Sequence, residues 1–438
     1  MKIALLTLGC KVNQSEIASI EAGLMRSGKK NKNITIVGLD EKPDICVINT
    51  CSVTAKSDYQ SRQLIRKAAQ TGAKLIVTGC YSELNFLETG NMKGVEQVVA
   101  NSEKANIIKM ITGDSSSSIE SNDGLIKKSG RSRYFLKIQD GCSYSCSYCI
   151  VWKARGRSKS IKPETVIAQI RQAHKIGYKE VVLTGIHLGL YHSGIGLSAL
   201  VERILSETDI GRVRLSSLEV NEIDNKIIEL MKTGRVCRHA HIPLQSGDDH
   251  VLSLMKRRYK TASFIDKVNK MVSEVPDIAI GTDIIIGFPG EGETEFNNTR
   301  ALLERISFAY MHVFTYSERP GTEALGFPDK VLKEEKKKRS LIIREMAGLK
   351  KRSFIDSLTG KGFEVVIEKG KEKDPKGDFF DFFDGKPGIT GITDNYVKVF
   401  IPIENTGDPE VFPAGSSVNI RLLDRKKDMA IGELVINT

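Results

Sequence analysis

Short apolar segments alternate with longer amphipathic segments through the first quarter of the chain. The β-branched runs predict strands at 3–8, 34–37, 45–48, 75–77 and 98–99. Helical patterns separate these runs, at about 15–27, 54–70 and 102–111. This alternation predicts an open parallel sheet covered by helices, so residues 1–113 are assigned to an N-terminal α/β domain. A serine-rich polar stretch follows, and residues 114–132 are predicted to be a linker.

The strand–helix alternation returns six times in a second domain, residues 133–359. Its predicted strands are 134–138, 181–183, 213–216, 239–243, 280–286 and 311–316. Six such units predict a partial (βα)6 barrel whose functional groups lie at the C-terminal ends of the strands. Pro163 and Gly177 mark the start and end of one helix, and a long charged helix at about 331–357 completes the domain.

The pattern changes again at residue 360. Strand-like segments recur without a helical pattern between them, at 363–368, 396–402, 417–422 and 431–436. Glycine, proline and aspartate separate these segments, so residues 360–438 are predicted to form a small all-β barrel. An acidic aromatic insertion at 378–384 interrupts this domain, and no role is assigned to it.

Composition narrows the class of protein. No apolar run is long enough to cross a bilayer, and residues 1–10 do not form a signal peptide, so a cytoplasmic location without a membrane partner is expected. Eight cysteines in that reducing compartment are expected to be metal ligands, reactive thiols or core residues. The net charge of +11 favours a polyanionic partner such as nucleic acid.

Three cysteines follow the first predicted barrel strand at close spacing: Cys142, Cys146 and Cys149. Thiolates in this C-x3-C-x2-C pattern can hold one iron–sulfur cluster and leave one iron without a protein ligand. Such an open position on a metal accepts a substrate or cosubstrate. A zinc site would need a fourth ligand, and this stretch contains no histidine. The remaining alternative to a metal site is that the three cysteines have this spacing by chance.

Three further cysteines stand in a repeated context, each just past a predicted strand of the N-terminal domain. Cys10, Cys51 and Cys80 end the strings TLGC, INTC and VTGC. The C-terminal ends of parallel strands share one sheet edge, so these thiols can converge and hold a second cluster. The alternative is three buried structural cysteines. Cys46 lies inside an apolar run and is assigned to the core.

Both cysteine sets, together with several longer strings, resemble the radical-SAM methylthiotransferase family over nearly the whole chain. The matching strings are ARGRSKS at 154–160, LTGIHLG at 183–189, RLSSLE at 214–219, HIPLQSG at 241–247 and TDIIIGFPGE at 282–291. The resemblance implies a cluster domain, a radical-SAM barrel and a C-terminal TRAM domain. It also implies two [4Fe-4S] clusters and S-adenosylmethionine as cofactors.

The resemblance further implies that the two clusters have different roles in the reaction. The cluster held by Cys142, Cys146 and Cys149 would cleave S-adenosylmethionine to a radical that removes hydrogen from the target carbon. The sulfur and its methyl group would come from the cluster held by the other three cysteines. An aromatic C–H is too weakly acidic for ordinary base catalysis, so cofactor chemistry is required.

Candidate contacts to the cosubstrate lie at predicted C-terminal strand ends, where barrel ligands bind. They are Tyr148, Thr184, Gly185, Ser217, Glu219 and Gln245. Each taken singly is also explained by turn formation or capping. His239 and His241 alternate along one strand and are assigned to packing, because no cysteine or carboxylate stands at metal-ligand spacing.

The string TLGCKVNQ at 7–14 is most similar to the branch that acts on N6-threonylcarbamoyladenosine at position 37 of tRNA. The isopentenyladenosine branch typically has a YGCQMN-like string there, and the ribosomal-protein branch an LGCPKN-like string. Those two substrates remain the alternatives, as does an RNA-binding protein that uses its clusters for structure or sensing. The resemblance implies as partners the tRNA anticodon stem-loop, a flavodoxin-type electron donor and a sulfur donor.

Charge predicts where RNA would bind. Residues 360–438 carry 11 Lys and Arg against 14 Asp and Glu, so the positive excess belongs to the first two domains. RNA is therefore expected to contact mainly the barrel and its rim. Six basic residues near the cysteine loop are the candidates for phosphate contacts: Arg155, Arg157, Lys159, Arg257, Arg258 and Lys260.

Overall fold

A computed structural model describes residues 1–31, 34–113, 131–369, 388–402 and 412–435. The insertion at 378–384 lies outside the described residues, as does the predicted linker apart from its last two positions.

The N-terminal part is a five-stranded parallel sheet with strand order β2-β1-β3-β4-β5, as predicted. Its strands are β1 (Lys2–Thr7), β2 (Thr35–Ile36), β3 (Ile45–Thr50), β4 (Lys74–Gly79) and β5 (Val95–Val99). Its α-helices are α1 (Lys11–Asn31), α2 (Ala55–Ala69), α3 (Cys80–Leu84), α4 (Phe86–Gly90) and α5 (Ile107–Thr112). Apolar residues fill both faces of the sheet, and Cys46 is a buried core residue.

The central part contains all six predicted barrel strands. The strands from β6 to β13 are β6 (Tyr134–Lys137), β7 (Gln139–Asp140), β8 (Lys159–Ser160), β9 (Glu180–Thr184), β10 (Arg212–Leu215), β11 (His239–His241), β12 (Ala279–Ile286) and β13 (Tyr310–Thr315). The helices are α6 (Val151–Arg155), α7 (Pro163–Lys175), α8 (Leu197–Glu207), α9 (Asn225–Lys232), α10 (Asp249–Leu254), α11 (Thr261–Glu274), α12 (Glu293–Arg305) and α13 (Lys333–Asp356).

Six of these strands form a parallel arc, and β7 and β8 pair separately as a short antiparallel ribbon. Two three-stranded sheets, β10-β9-β6 and β11-β12-β13, are joined where Val213 bridges Val236. One large apolar core lies between the arc and its surrounding helices. Alternate residues of each strand face this core, so the residues between them line the concave interior, here called the lumen.

Helix α7 illustrates how local sequence sets an element. Pro163 occupies the first helical position, where its missing N–H costs nothing. Val166, Ile167 and Ile170 bury one face of the helix against the core. The helix ends before Gly177, which has φ +93° and donates its N–H to His174 O at 2.9 Å.

The C-terminal part is a closed barrel of five strands in the order β14-β15-β16-β18-β17. They are β14 (Gly362–Lys369), β15 (Gly388–Thr393), β16 (Lys398–Pro402), β17 (Ser417–Lys426) and β18 (Met429–Leu434). The sequence predicted four of them and missed β15, which is rich in glycine and threonine. Gly391 is required there, because a Cβ would lie 2.3 Å from the Val365 side chain.

A buried carboxylate fastens this barrel to the central part. Glu180 accepts hydrogen bonds from Arg212 Nε and Arg214 Nε, both at 2.7 Å. The remaining guanidinium nitrogens donate to carbonyl oxygens of the C-terminal barrel, including those of Thr393 and Ile392. Although burial raises the pKa of Glu180, Arg214 and Arg212 hold it well below its usual range. The two arginines therefore join both parts through one shared anion.

We expect Glu180→Gln to lower the free energy of unfolding by about 3–5 kcal/mol, because it leaves buried guanidinium groups without their anion. Urea denaturation followed by circular dichroism measures this change. Glu202→Gln is the matched control, since Glu202 pairs with Lys226 on the surface and its loss should cost less than about 1 kcal/mol. Equal effects of the two substitutions would contradict the role given to Glu180.

Candidate active site

The sheet brings Cys10, Cys51 and Cys80 to one edge. They follow β1, β3 and β4, which are neighbours in the sheet. Burial raises the pKa of the Cys10 and Cys51 thiols, and the charge of the nearby Cys80 raises both further. The three thiols therefore lie at one edge of the sheet, near enough for the charge of Cys80 to act on the other two.

Two glycines make room for this cysteine group. Gly9 has φ +102°, and a Cβ on it would lie 2.8 Å from Cys51 Sγ. Gly79 has φ +106°, and a Cβ there would lie 2.4 Å from the backbone nitrogen of Thr50. Gly9 thus keeps side-chain atoms away from the Cys51 sulfur, and Gly79 lets the end of β4 approach the backbone of β3. A cluster with three thiolate ligands fits such a cradle.

Cys142, Cys146 and Cys149 lie in a loop closed by the pairing of β7 with β8. Backbone N–H groups point at two of the sulfurs: Tyr144 N lies 3.4 Å from Cys142 Sγ, and Val151 N lies 3.4 Å from Cys149 Sγ. Burial raises the pKa of Cys149 to about 12, so the free thiol is protonated at neutral pH. Bound iron would displace that proton, and N–H donors of this kind stabilise cluster sulfurs.

Arg257 connects the cysteine loop to two predicted cosubstrate residues. Its guanidinium pairs with the Glu219 carboxylate. One of its nitrogens also lies 3.5 Å from Cys146 Sγ and 3.4 Å from Tyr148 Oη. Tyr148 and Glu219 therefore belong to the same small region around the loop.

The other predicted cosubstrate residues lie at the same end of the barrel. Thr184 is buried at the end of β9, and Gly185 approaches Gln139 so closely that a Cβ would lie 2.7 Å from its Oε1. Ser217 is exposed after β10. Gln245 follows β11 with φ +66° and accepts a hydrogen bond from Ile285 N at 2.9 Å. All four lie at C-terminal strand ends, as expected.

Sequence reasoning gave no role to His187 and Glu222. His187 Nδ1 lies 3.2 Å from Cys142 Sγ, and its Nε2 lies 2.6 Å from Glu222 Oε1. Burial lowers the pKa of His187, but the hydrogen bonds to Cys142 and Glu222 outweigh burial and raise it to about 9. His187 lies within the LTGIHLG string, and this match was the feature of the sequence that could have identified it. Glu222 lies outside the matching strings.

Two of the six predicted phosphate contacts are wrong. The side chain of Arg155 is inaccessible, and that of Arg257 is only 4% exposed. Each guanidinium neutralises a carboxylate, that of buried Glu16 or half-buried Glu219, a role that a count of charges along the sequence does not reveal. The other four residues are exposed and stay candidates: Arg157, Lys159, Arg258 and Lys260.

Arg155 instead links the two cysteine groups. It ends α6, the helix that follows Cys149, and its Nε donates to Cys80 Sγ at 3.2 Å. Its Nη1 pairs with Glu16 Oε1 at 2.6 Å. Lys104 and Lys137 also reach the Glu16 carboxylate, at 2.5 and 3.0 Å. Although burial raises the pKa of Glu16, these cations hold it well below its usual range.

Polar side chains line the lumen where β11, β12 and β13 meet. Asp283 Oδ1 lies 3.1 Å from both His241 Nε2 and His312 Nδ1. The assignment of His241 to packing alone is therefore wrong, because its carboxylate partner comes from the neighbouring strand rather than from nearby sequence. His239 does pack, stacked on Tyr396 at 4.4 Å between ring centroids.

The fold and the cysteine loop define a radical-SAM enzyme. The Radical SAM superfamily model matches residues 136–303, and the model described as uncharacterized protein family UPF0004 matches residues 2–101. A solved radical S-adenosylmethionine methyltransferase, TsrM from Kitasatospora setae, shares the fold with a TM-score of 0.57 at 14% identity. That comparison covers 74% of this chain and 76% of the other.

Similarity to curated proteins identifies the family. The threonylcarbamoyladenosine tRNA methylthiotransferase MtaB of Aquifex aeolicus is 34% identical, covering 85% of this chain and 94% of that protein. MtaB of Rickettsia prowazekii is 36% identical, covering 83% and 87%. The tRNA-2-methylthio-N(6)-dimethylallyladenosine synthase of Aliarcobacter butzleri is 31% identical, covering 99% of both. The chain belongs to the radical-SAM methylthiotransferase family.

In the parts of the chain that the structure describes, every helix is too short or too polar to traverse a lipid bilayer.

We expect Arg155→Met to destabilise the protein by about 3 kcal/mol or more, because it removes a buried cation from Glu16. Calorimetric thermal unfolding measures the change. The matched control is Arg157→Met, which removes an exposed guanidinium two residues away and should change stability by less than about 0.5 kcal/mol. Arg155→Met unfolding at the wild-type temperature would contradict the linking role of Arg155.

Proposed function

We propose that this protein transfers a methylthio group to C2 of N6-threonylcarbamoyladenosine at position 37 of tRNA, using two [4Fe-4S] clusters. The observation that carries the proposal is the pair of cysteine groups, three thiols at the edge of the N-terminal sheet and three in the barrel loop, connected through Arg155. Two open-sided clusters near one lumen suit a reaction that needs both a sulfur source and a radical source.

The six cysteines are proposed as the cluster ligands. Cys142, Cys146 and Cys149 would hold the cluster that binds S-adenosylmethionine and supplies a carbon-centred radical by its reductive cleavage. Cys10, Cys51 and Cys80 would hold the second cluster. The domain boundaries at 113, 133 and 360 are proposed with this division, since each of the first two domains then carries one complete set of ligands.

Residues around the loop would bind and orient the cosubstrate. Tyr148 and Glu219 are held in place by Arg257, whose charge is already neutralised by Glu219. The Glu219 carboxylate would be a suitable acceptor for the amino or hydroxyl groups of S-adenosylmethionine. Thr184, Gly185, Ser217 and Gln245 are proposed to complete the pocket from the neighbouring strand ends.

The lumen supports a polar modified base as the substrate. His241, Asp283 and His312 present nitrogen and oxygen atoms across β11, β12 and β13. The threonylcarbamoyl group offers amide, hydroxyl and carboxylate groups to such a surface, whereas an isopentenyl group offers none. The names of the Aquifex and Rickettsia relatives agree with this choice. The Aliarcobacter relative makes the isopentenyl-type nucleoside the alternative substrate.

The reaction also requires partners outside the chain. An external electron donor, proposed to be of the flavodoxin type, would reduce the radical-forming cluster. A sulfur donor would restore the second cluster after each transfer. Exposed Arg157, Lys159, Arg258 and Lys260 surround the cysteine loop and are proposed to meet the phosphates of the anticodon stem-loop.

Three substrates tested in parallel separate the candidate functions. We expect the reconstituted enzyme with a strong reductant to methylthiolate tRNA carrying threonylcarbamoyladenosine at position 37. We expect at least about tenfold less product, by nucleoside mass spectrometry, from tRNA carrying isopentenyladenosine and none from a ribosomal protein. The Cys142/Cys146/Cys149→Ala variant is the control for radical chemistry. Preference for the isopentenyl substrate or the protein would contradict the proposal.

A further inference from the structure

Lys11 directly follows Cys10 and begins α1. Its ammonium lies 5.5 Å from the centre of the Tyr396 ring. Tyr396 stands at the turn between β15 and β16 and packs against His239 and Tyr310, which belong to lumen-facing positions of β11 and β13. Lys11 therefore extends from the edge that carries Cys10 toward the base of the lumen.

Lys11 forms no ion pair or hydrogen bond with the other residues that the structure describes. Two buried carboxylates of the surrounding elements, on α1 and on β9, are each shared among three cations. Glu16 contacts Arg155, Lys104 and Lys137. Glu180 contacts Arg133, Arg212 and Arg214. These carboxylates are thus already neutralised, and Lys11 has no acidic partner among the described residues.

The chemistry of the proposed substrate supplies such a partner. In adenine, C2 and C6 flank N1, so a substituent on N6 lies beside the edge that carries C2. When C2 faces the cysteine group of Cys10, the N6 substituent must lie close to the neighbouring residues. The threonylcarbamoyl substituent ends in a carboxylate, which forms charge-assisted hydrogen bonds with an ammonium group.

We propose that Lys11 is a specificity-determining residue whose ammonium binds the threonyl carboxylate of the modified adenosine. The inference rests on the proposed function and deepens it, because it names the group that distinguishes this substrate from one with an apolar substituent. An apolar substituent at this place would leave the ammonium without a partner, which disfavours its binding.

Overall sequence identity does not show which of the two nucleosides is the substrate. A relative named for threonylcarbamoyladenosine is 36% identical to this chain, and one named for dimethylallyladenosine is 31% identical, each over most of its length. A small number of residues must therefore make the distinction. Lys11 combines three properties that such a residue needs: it adjoins a proposed cluster ligand, it extends toward the base of the lumen, and its charge matches the distinguishing group.

Binding of three fluorescent anticodon stem-loops to the reconstituted holoenzyme tests this role. Position 37 carries threonylcarbamoyladenosine, its carboxamide analogue or unmodified adenosine. We expect the wild type to bind the first about tenfold more tightly than the other two. Lys11→Gln should bind all three with the same, weaker affinity, and Lys11→Arg should keep most of the preference. Lys175→Gln, on the exposed face of α7, is the charge-matched control and should behave like the wild type.

The outcomes separate this inference from the proposed function. Iron content equal to that of the wild type shows that Lys11→Gln keeps its clusters. If that variant retains the tenfold preference for the carboxylate, the role of Lys11 is overturned while the substrate assignment stands. If the wild type itself binds all three stem-loops equally and modifies none of them, the proposed function is overturned.

Discussion

The ion cluster around Glu16 is the interaction on which the arrangement of this enzyme depends. One carboxylate on α1 is surrounded by Lys104 of the N-terminal part and by Lys137 and Arg155 of the barrel. Glu16, Lys104 and Arg155 are buried, so loss of the Glu16 carboxylate would leave buried cations without their anion and would destabilise the contact between the two parts. The Arg155 guanidinium also donates a hydrogen bond to Cys80 Sγ. The position of the cysteine group in the N-terminal part is therefore tied to α6, the helix that follows Cys149.

A second buried carboxylate, Glu180, holds several cations together in the same way where the central part meets the C-terminal barrel. Glu180 gathers three arginines, and two of them donate to carbonyl groups of the C-terminal barrel. Tyr396 from that barrel then lies beneath the lumen, against His239 and Tyr310. The C-terminal domain therefore closes the base of the cavity in which the substrate is proposed to bind. Its overall acidic charge is compatible with this role, because the basic groups at the contact come from the central part.

Much of the fold and both cysteine groups were predictable, because they depend on local patterns. Six β-branched runs gave the six barrel strands, and three cysteines in equivalent positions after parallel strands had to meet at one edge. The predictions that were wrong depend on contacts between segments that lie far apart in the sequence. Arg155 and Arg257 looked like surface charges until Glu16 and Glu219 were placed beside them. Asp283 is the partner of His241 only because β12 lies next to β11. Strand β15, which is needed to close the barrel, was missed because its glycines are not typical of a strand.

The central claim is that the chain holds two iron–sulfur clusters, one in each cysteine group. Iron and acid-labile sulfide per chain, measured after anaerobic reconstitution, test it most directly. About eight irons are expected in the wild type, and about four in the Cys142/Cys146/Cys149→Ala variant and in the Cys10/Cys51/Cys80→Ala variant. About four irons in the wild type, falling to none in the first variant and unchanged in the second, would contradict the claim.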